Sequence, residues 1–372
     1  MKAAAGIRPR KTATPAFLVD SDVHNKMPAS ELAARLPRRW RRRYEDYGFN
    51  LGSAAGYTRP RSQGAMTNSW PPGGGLPGSD REFMTRQLLD RWGHTFAILN
   101  PIDQVFFGGQ YGEYGAALDR ALNEWLAEEW LAPDPRLYGS ISVPFEEPDL
   151  AVAEIERWSE HPRFLQVLLN LVTRDPLGNR RYWPVYEAAA GHGLPVAIHV
   201  AGTSGRPKSS AGWLSSYFED HAGYSLTFLE QLISLVAEGV FERFPTLRIV
   251  FQEGGFTWLP ALLWRLDRAF GLLRDDLPHL ELTPSEYCRR QLWFTTQPIE
   301  EPERPADFLW TLQRLQMDDR LLFATDYPHW DFDSPDQSLP PGLAPGLKER
   351  IFWRNALDLY DRLPRPDREP EP

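Results

Sequence analysis

The sequence predicts an α/β fold built from one repeating unit, a short apolar strand followed by a helix. Eight apolar runs of strand length occur between residues 16 and 325, and each precedes a segment with helical spacing of apolar residues. The run at 164–172 is apolar almost throughout, which is typical of a parallel strand buried on both faces. Eight such units predict a parallel (β/α)8 TIM barrel. An open doubly wound sheet is the alternative, but no glycine-rich phosphate loop supports it.

The strands and helices alternate in order along the chain. We expect strands at 16–24, 95–100, 137–144, 164–172, 195–200, 247–252, 292–296 and 321–325. We expect helices at 80–93, 114–130, 150–159, 182–192, 225–244, 258–273, 306–316 and 347–363. The second helix has the clearest period, because Leu118, Leu122 and Trp125 fall on one face. Gly193 and Pro245 mark the ends of two others.

Three segments fall outside this repeat. Residues 1–15 contain four basic residues and no acid, and residues 364–372 are rich in proline and charge. Both are predicted to be disordered tails, which leaves 16–363 as a single barrel domain. Residues 25–79 show no regular period and form a long insertion. Because the insertion leaves the carboxyl end of the first strand, we expect it to act as a lid over the barrel mouth.

Composition excludes several classes of protein. A net charge of −9 and a pI near 5.5 disfavour a general nucleic-acid binder. The one cysteine, Cys288, excludes an internal disulfide framework and a cysteine-rich zinc site. No apolar run approaches the ~18 residues of a membrane span, and no signal peptide follows Met1. The expectation is a cytoplasmic protein that acts on a small molecule, without a nucleic-acid or membrane partner.

Four residues that could bind a metal stand at strand ends. Asp22 and His24 are two apart in the first strand and therefore share a face. His199 ends the fifth run and Asp326 the eighth. Each could instead be an ordinary strand-end residue, but the carboxyl ends of barrel strands meet at one mouth. Together they predict one divalent cation held by two imidazoles and two carboxylates, with Zn²⁺ the best fit and Mn²⁺, Fe²⁺ or Co²⁺ as alternatives.

At these residues the chain resembles the amidohydrolase-related family that includes aminocarboxymuconate-semialdehyde decarboxylase and the resorcylate-type decarboxylases. The resemblance runs from about Phe17 to Leu363. It is carried by the ligand segments and by three stretches of sequence, which are Gly-Val-Phe-Glu-Arg-Phe-Pro at 239–245, Glu-Gly-Gly-Phe-Thr-Trp at 253–258 and Ala-Thr-Asp-Tyr-Pro-His at 324–329. It implies a (β/α)8 barrel, one divalent metal, and either hydrolysis or non-oxidative decarboxylation. It also implies a homodimer.

The chain departs from the family pattern at two positions. The first ligand pair is often His-x-His, whereas here it is Asp22-x-His24. The decarboxylases carry a catalytic histidine at the end of strand 6, where this chain has Glu253. An ionised glutamate is a better base for water than an acid for carbon. The leading expectation is therefore a hydrolase that acts through a metal-activated water.

Glu253 and the loop residue His221 are the candidate proton-transfer residues. Glu253 could instead hold a neighbouring loop, and His221 could be a surface histidine. The alternative function is a decarboxylase of an aromatic or unsaturated carboxylic acid. A third hypothesis is a barrel that has lost catalysis and only binds a partner. The presence of all four candidate ligands disfavours this hypothesis.

Overall fold

Eight parallel strands form the centre of the structure, in the order of the sequence. The computed structural model describes residue 15 and residues 17–48, 64–201, 207–208 and 210–366. The strands are β1 (Val19–Val23), β2 (Phe96–Leu99), β3 (Leu137–Ser142), β4 (Phe164–Asn170), β5 (Val196–His199), β6 (Ile249–Gln252), β7 (Leu292–Thr295) and β8 (Leu321–Leu322). The predicted (β/α)8 barrel is confirmed.

The barrel closes where β8 meets β1, although β8 is only two residues long. The backbone N–H of Ser21 donates to the carbonyl of Phe323 over 2.9 Å, and that of His24 to Tyr327 over 2.7 Å. In the other direction, the N–H of Asp326 donates to the carbonyl of Asp22 over 3.1 Å. The closing seam therefore lies beside three of the four predicted metal ligands.

Helices surround the barrel and bury its outer face. They are α1 (Ala29–Arg35), α2 (Arg38–Tyr47), α3 (81–90), α4 (Gln104–Phe107), α5 (112–131), α6 (Pro148–Trp158), α7 (Trp183–Gly191), α8 (Tyr217–Ala222), α9 (Tyr224–Ala237), α10 (Val240–Arg243), α11 (Leu259–Leu272), α12 (Pro284–Gln291), α13 (Pro305–Leu315) and α14 (345–359). The final turns of α3 and α5 and the middle of α14 are π-helical. Among the described residues, no helix is long and apolar enough to cross a membrane.

The insertion at 25–79 contains regular structure that its sequence did not reveal. Helices α1 and α2 lie within it and pack on the flank of the barrel, where Arg35 contacts Glu128 and Glu129 of α5. No residue of α2 is fully buried, and its apolar face consists of Trp40 and Tyr44 among five arginines, which is a weak signal for a sequence pattern. Residues 49–63 of the insertion and most of both predicted tails lie outside the described residues.

Three further differences have local causes. The predicted helix at 225–244 is interrupted at Gly239, whose φ of +78° belongs to the left-handed region, so α9 and α10 are separate. Helix α12 was not predicted, although Thr283 and Glu286 mark its start with a capping interaction of 2.8 Å. Helix α8 was not predicted either, because it is only six residues long.

A buried carboxyl on α5 gives a stability prediction. Both oxygens of Asp119 are buried and have no hydrogen-bond partner in the described part of the chain. Burial, followed by the charge of Glu154, holds the pKa of Asp119 well above its usual range. The folded protein therefore keeps a proton that the unfolded chain releases above about pH 4, so stability falls as the pH rises.

We expect Asp119→Asn to raise the free energy of unfolding, with a gain that grows from pH 5 to pH 8. Denaturant unfolding at several pH values in excess chelator measures this. Asp134→Asn is the control of opposite sign. Burial raises the pKa of Asp134, but hydrogen bonds from Arg136 outweigh burial and lower it. Asp134→Asn should therefore destabilise the protein most above about pH 4, and the difference in stability between this variant and the wild type should vanish in acid. A gain at Asp119 that is independent of pH would contradict the interpretation.

Candidate active site

The structure brings the four predicted ligands together at the mouth of the barrel. Asp22 lies in β1, His24 just after it, His199 at the end of β5, and Asp326 four residues beyond β8. Nε2 of His24 lies 2.9 Å from Oδ1 of Asp326, and 3.5 Å from Oδ1 of Asp22. Nε2 of His199 lies 3.4 Å from Oδ2 of Asp22. All four residues are buried.

Both histidines are oriented so that one ring nitrogen faces the cluster. Nδ1 of His24 is 2.7 Å from the carbonyl of Asn100, and Nδ1 of His199 is 2.8 Å from the carbonyl of Val200. A carbonyl only accepts, so each Nδ1 carries a proton and Nε2 is the nitrogen left to bind a cation. Support of this kind through the second nitrogen is the usual arrangement of a metal-binding histidine.

Four buried atoms in this cluster lack a hydrogen-bond partner within the described ranges. They are Nε2 of His24, Nε2 of His199, Oδ2 of Asp22 and Oδ2 of Asp326. The two imidazole nitrogens face carboxylate oxygens at 2.9–3.5 Å without a well-aligned hydrogen bond. Because an unsatisfied buried polar atom costs about 1–3 kcal/mol, the cluster calls for a ligand. Two imidazole nitrogens and two carboxylate oxygens are a donor set that fits a divalent cation. The cluster is therefore a candidate site for one divalent metal.

The electrostatics of the cluster favour positive charge at its centre. Burial lowers the pKa of His24, but the charges of Asp22 and Asp326 outweigh burial and raise it to about 9. Burial raises the pKa of Asp22, yet His199 and His24 bring it below its usual value. The pKa of Asp326 is likewise lowered, against burial, by His329 and His24. The negative charges of Asp22 and Asp326 favour a proton on the imidazole of His24. A bound cation would replace that proton.

Two residues of the site have an unusual backbone. Asp326 has a φ of 56° and Glu253 a φ of 64°, both in the left-handed region that residues other than glycine rarely adopt. Such strain costs on the order of 1–3 kcal/mol and concentrates at functional sites. Both residues directly follow barrel strands or their extensions, so the turn points their carboxylates back toward the mouth. Asp326 is further held by His329, whose Nδ1 lies 2.6 Å from its Oδ1.

Glu253 joins the cluster from the end of β6. Its Oε2 lies 3.2 Å from Nε2 of His199. Ligand atoms that lie within 4.8 Å of one another form two groups that share His24. One contains Asp22, His24 and His199, and the other contains Glu253 with His24, Asp326 and His329. In the protein without a metal, burial holds the pKa of Glu253 well above its usual range, and the negative charge of the nearby Asp326 raises this pKa further. Without a metal, this environment favours the protonated form of Glu253, whereas a bound cation would lower its pKa again.

His221 lies apart from the four predicted metal ligands, on α8. Its Nε2 is 2.8 Å from Oδ2 of Asp331, and its ring packs against Tyr217, Tyr224 and Trp330. The hydrogen bond to Asp331 raises the pKa of His221, while burial opposes it. The charge of Asp326 also raises this pKa, so His221 is within electrostatic reach of the cluster.

The insertion contacts the loop after β8 at the mouth of the barrel. The N–H of Trp330 donates to the carbonyl of Gly64 over 2.7 Å, and that of Met66 to the carbonyl of Pro328 over 2.8 Å. Nε1 of Trp330 donates to the hydroxyl of Tyr217 over 2.9 Å. The insertion, the loop after β8 and helix α8 are thus joined at one point beside the site.

Sequence reasoning did not identify Asn100, which supports two ligands at once. Besides its carbonyl at His24, its side-chain amide donates to Oδ1 of Asp22 over 2.7 Å. A signal existed, because Asn100 directly follows a buried strand, as His199 does. Asp331, the partner of His221, was also not identified, and its place in a loop gives no comparable signal.

Comparison with known proteins establishes the family. The sequence profile of the amidohydrolase family matches residues 19–362, so the chain belongs to this family, as its motifs predicted. A gamma-resorcylate decarboxylase of Polaromonas sp. (strain JS666 / ATCC BAA-500) is 24% identical over 257 residues, covering 65% of this chain and 75% of the relative. A 2-amino-3-carboxymuconate-6-semialdehyde decarboxylase of Dictyostelium discoideum is 24% identical over 286 residues, covering 73% and 74%.

A solved structure supports the fold. The dihydroxybenzoic acid decarboxylase of Polaromonas sp. JS666, with bound manganese and the inhibitor 2-nitroresorcinol, has a TM-score of 0.62 and 19% identity. The match covers 93% of this chain and 97% of that one.

These findings correct the leading functional expectation. The prediction of a hydrolase is wrong, because the curated relatives that match this chain are decarboxylases. The error came from Glu253, which was taken as an ordinary ionised base. The preference for zinc has no support in the comparisons either, since the neighbour described above holds manganese.

Proposed function

We propose that this protein is a metal-dependent, non-oxidative decarboxylase of an aromatic or unsaturated carboxylic acid. The observation that carries the proposal is the match to decarboxylases over about two thirds or more of the chain. The convergence of four ligand-type side chains at the barrel mouth supports it. The substrate is a small molecule. The proposal includes a homodimer, which light scattering would support at twice the mass of one chain and contradict at one.

Asp22, His24 and His199 form one group of close ligand atoms, and Asp326 adjoins it through His24. We propose that these four residues would hold one divalent cation, with Mn²⁺ preferred over Zn²⁺ because a structural neighbour contains it. When bound, the metal would supply positive charge that orients the oxygen atoms of an anionic substrate. The roles of the other residues follow from their own positions.

Decarboxylation replaces a carbon–carbon bond by a carbon–hydrogen bond, so a proton must reach the carbon that loses CO₂. Glu253 is the residue best placed to carry this proton, because its Oε2 lies within the ligand cluster and its side chain is excluded from water. His221 is hydrogen-bonded to Asp331 at the mouth of the barrel, where it can exchange protons with solvent or contact the substrate. Half of Trp330 is exposed beside it and offers a flat face to an aromatic ring.

A substrate panel tests the proposal. Purified protein is stripped of metal, reloaded with Mn²⁺, and incubated with hydroxybenzoic acids and unsaturated dicarboxylic acids while CO₂ release is recorded. The same preparation is offered matched esters, amides and lactones. We expect CO₂ release from at least one acid, dependent on metal. Hydrolysis of the neutral substrates, with no CO₂ from any acid, would contradict the proposal.

The insertion is proposed to close over the mouth through its contact at Gly64. A Cβ there would lie 3.0 Å from Cδ1 of Trp330 and 3.2 Å from the hydroxyl oxygen of Tyr217. Gly64→Ala should therefore displace the insertion and raise KM roughly fivefold, an effect of about 1 kcal/mol. Gly74→Ala is the matched control, because Gly74 also has a positive φ but no described atom lies within 4 Å of its Cβ position. Equal KM values for the two variants in steady-state assays would contradict the lid.

A further inference from the structure

A second buried carboxylate, Asp20, lies in β1 two residues before the ligand Asp22. Its Oδ1 accepts the backbone N–H of Thr325 over 3.0 Å and that of Asp22 over 3.3 Å. Its Oδ2 accepts the hydroxyl of Thr325 over 2.6 Å, and Nε2 of His94 lies 3.2 Å away. Asp20 and Thr325 are fully buried, and His94 is almost so.

These contacts cross the seam at which the barrel closes. Thr325 immediately precedes the ligand Asp326, whose left-handed backbone requires support from its surroundings. Strand β8 ends at Leu322, so no regular strand pairing holds Thr325 in place. One carboxylate thus fixes the backbone beside Asp22 and the backbone beside Asp326.

We propose that Asp20 is a positioning residue for the metal site, which sets the distance between Asp22 and Asp326 through its hydrogen bonds to Thr325. His94 completes this group from the segment before β2 by facing Oδ2 of Asp20. The inference rests on the metal site of the proposed function. It assigns a role to residues that touch neither metal nor substrate, and their effect should appear as metal affinity and coordination geometry.

The matched pair Thr325→Val and Thr325→Ser isolates the hydroxyl. Valine keeps the shape and the backbone N–H but removes the bond to Oδ2 of Asp20, whereas serine retains a hydroxyl. Loss of a partner that supports a ligand typically weakens metal binding about 10–100-fold, so we expect Thr325→Val to bind Mn²⁺ at least ~10-fold more weakly than Thr325→Ser. Asp20→Asn should weaken binding in the same range, because an amide nitrogen cannot accept the hydroxyl proton.

Affinity is measured by competition with a chelating dye, and geometry by the visible spectrum of the Co²⁺-loaded protein. Thr311→Val is the control, since Thr311 donates to the carbonyl of Asp307 within α13. We expect a changed Co²⁺ spectrum for Thr325→Val and Asp20→Asn, and wild-type spectra for Thr325→Ser and Thr311→Val.

Wild-type affinity and spectrum in Thr325→Val would overturn the inference. So would a loss of affinity that only parallels a loss of stability in the metal-free protein, because that result indicates a purely structural role. A wild-type protein that binds no divalent cation would instead refute the metal site, and the positioning role with it.

Discussion

Glu253→Gln should keep its metal and its fold but lose at least ~100-fold in kcat for CO₂ release, the lower end of what a positioned acid or base contributes. Glutamine has nearly the same shape as glutamate and can still accept a hydrogen bond, but it cannot carry the transferred proton. Oε2 of Glu253 lies 3.2 Å from Nε2 of His199, so the substitution removes the ionisable group that faces the cluster there. The measurement is steady-state CO₂ release together with the metal content of the same sample.

The metal content separates proton transfer from coordination. Full metal with low kcat indicates a proton-transfer role, whereas loss of metal would show that Glu253 is a ligand. Glu242→Gln serves as control, because Glu242 on α10 is also hydrogen-bonded, to the hydroxyl of Tyr287. Near-normal turnover in Glu253→Gln would refute the role and point to His221 instead.

His199→Ala should lose most of its bound metal, because the site then offers three of its four ligands. Loss of a residue that only hydrogen-bonds to a ligand typically weakens metal binding ~10–100-fold. We expect the affinity of His199→Ala for Mn²⁺ to fall by more than that. Activity should fall with metal occupancy. Elemental analysis after dialysis against a weak chelator measures the retained metal, and circular dichroism checks the fold.

His192→Ala is the matched control for this variant. His192 follows α7 and contacts Glu156 on the outside of the barrel, so its loss should leave metal content unchanged. Stoichiometric metal retained by a folded His199→Ala protein would contradict the assignment of the site.

The barrel could be predicted from sequence because it depends on local patterns, and the same patterns place the four predicted metal ligands at strand ends. An apolar run marks each strand, and the polar residue that follows it must lie at the carboxyl end, as with His199 in β5. Helix α2 was not predicted, since only Trp40 and Tyr44 give it an apolar face and the surrounding arginines obscure that pattern.

The chemistry of Glu253 could not be predicted either, because its protonation depends on tertiary structure. Sequence gives the residue type and the strand that it follows. Its pKa is raised by burial and by the carboxylate of Asp326, and both come from residues that are distant in the chain. Taking Glu253 as an ordinary acid led directly to the hydrolase prediction, which the relatives then contradicted.

The most direct test of the central claim is to run the reaction in D₂O and examine the product by mass spectrometry and proton NMR. The account predicts one equivalent of CO₂ per substrate and one solvent deuterium on the carbon that carried the carboxyl group. Both should disappear when the metal is removed, and both should form at least ~100-fold more slowly in Glu253→Gln. A product without deuterium on that carbon, formed by addition of water across an ester, amide or lactone bond, would contradict decarboxylation.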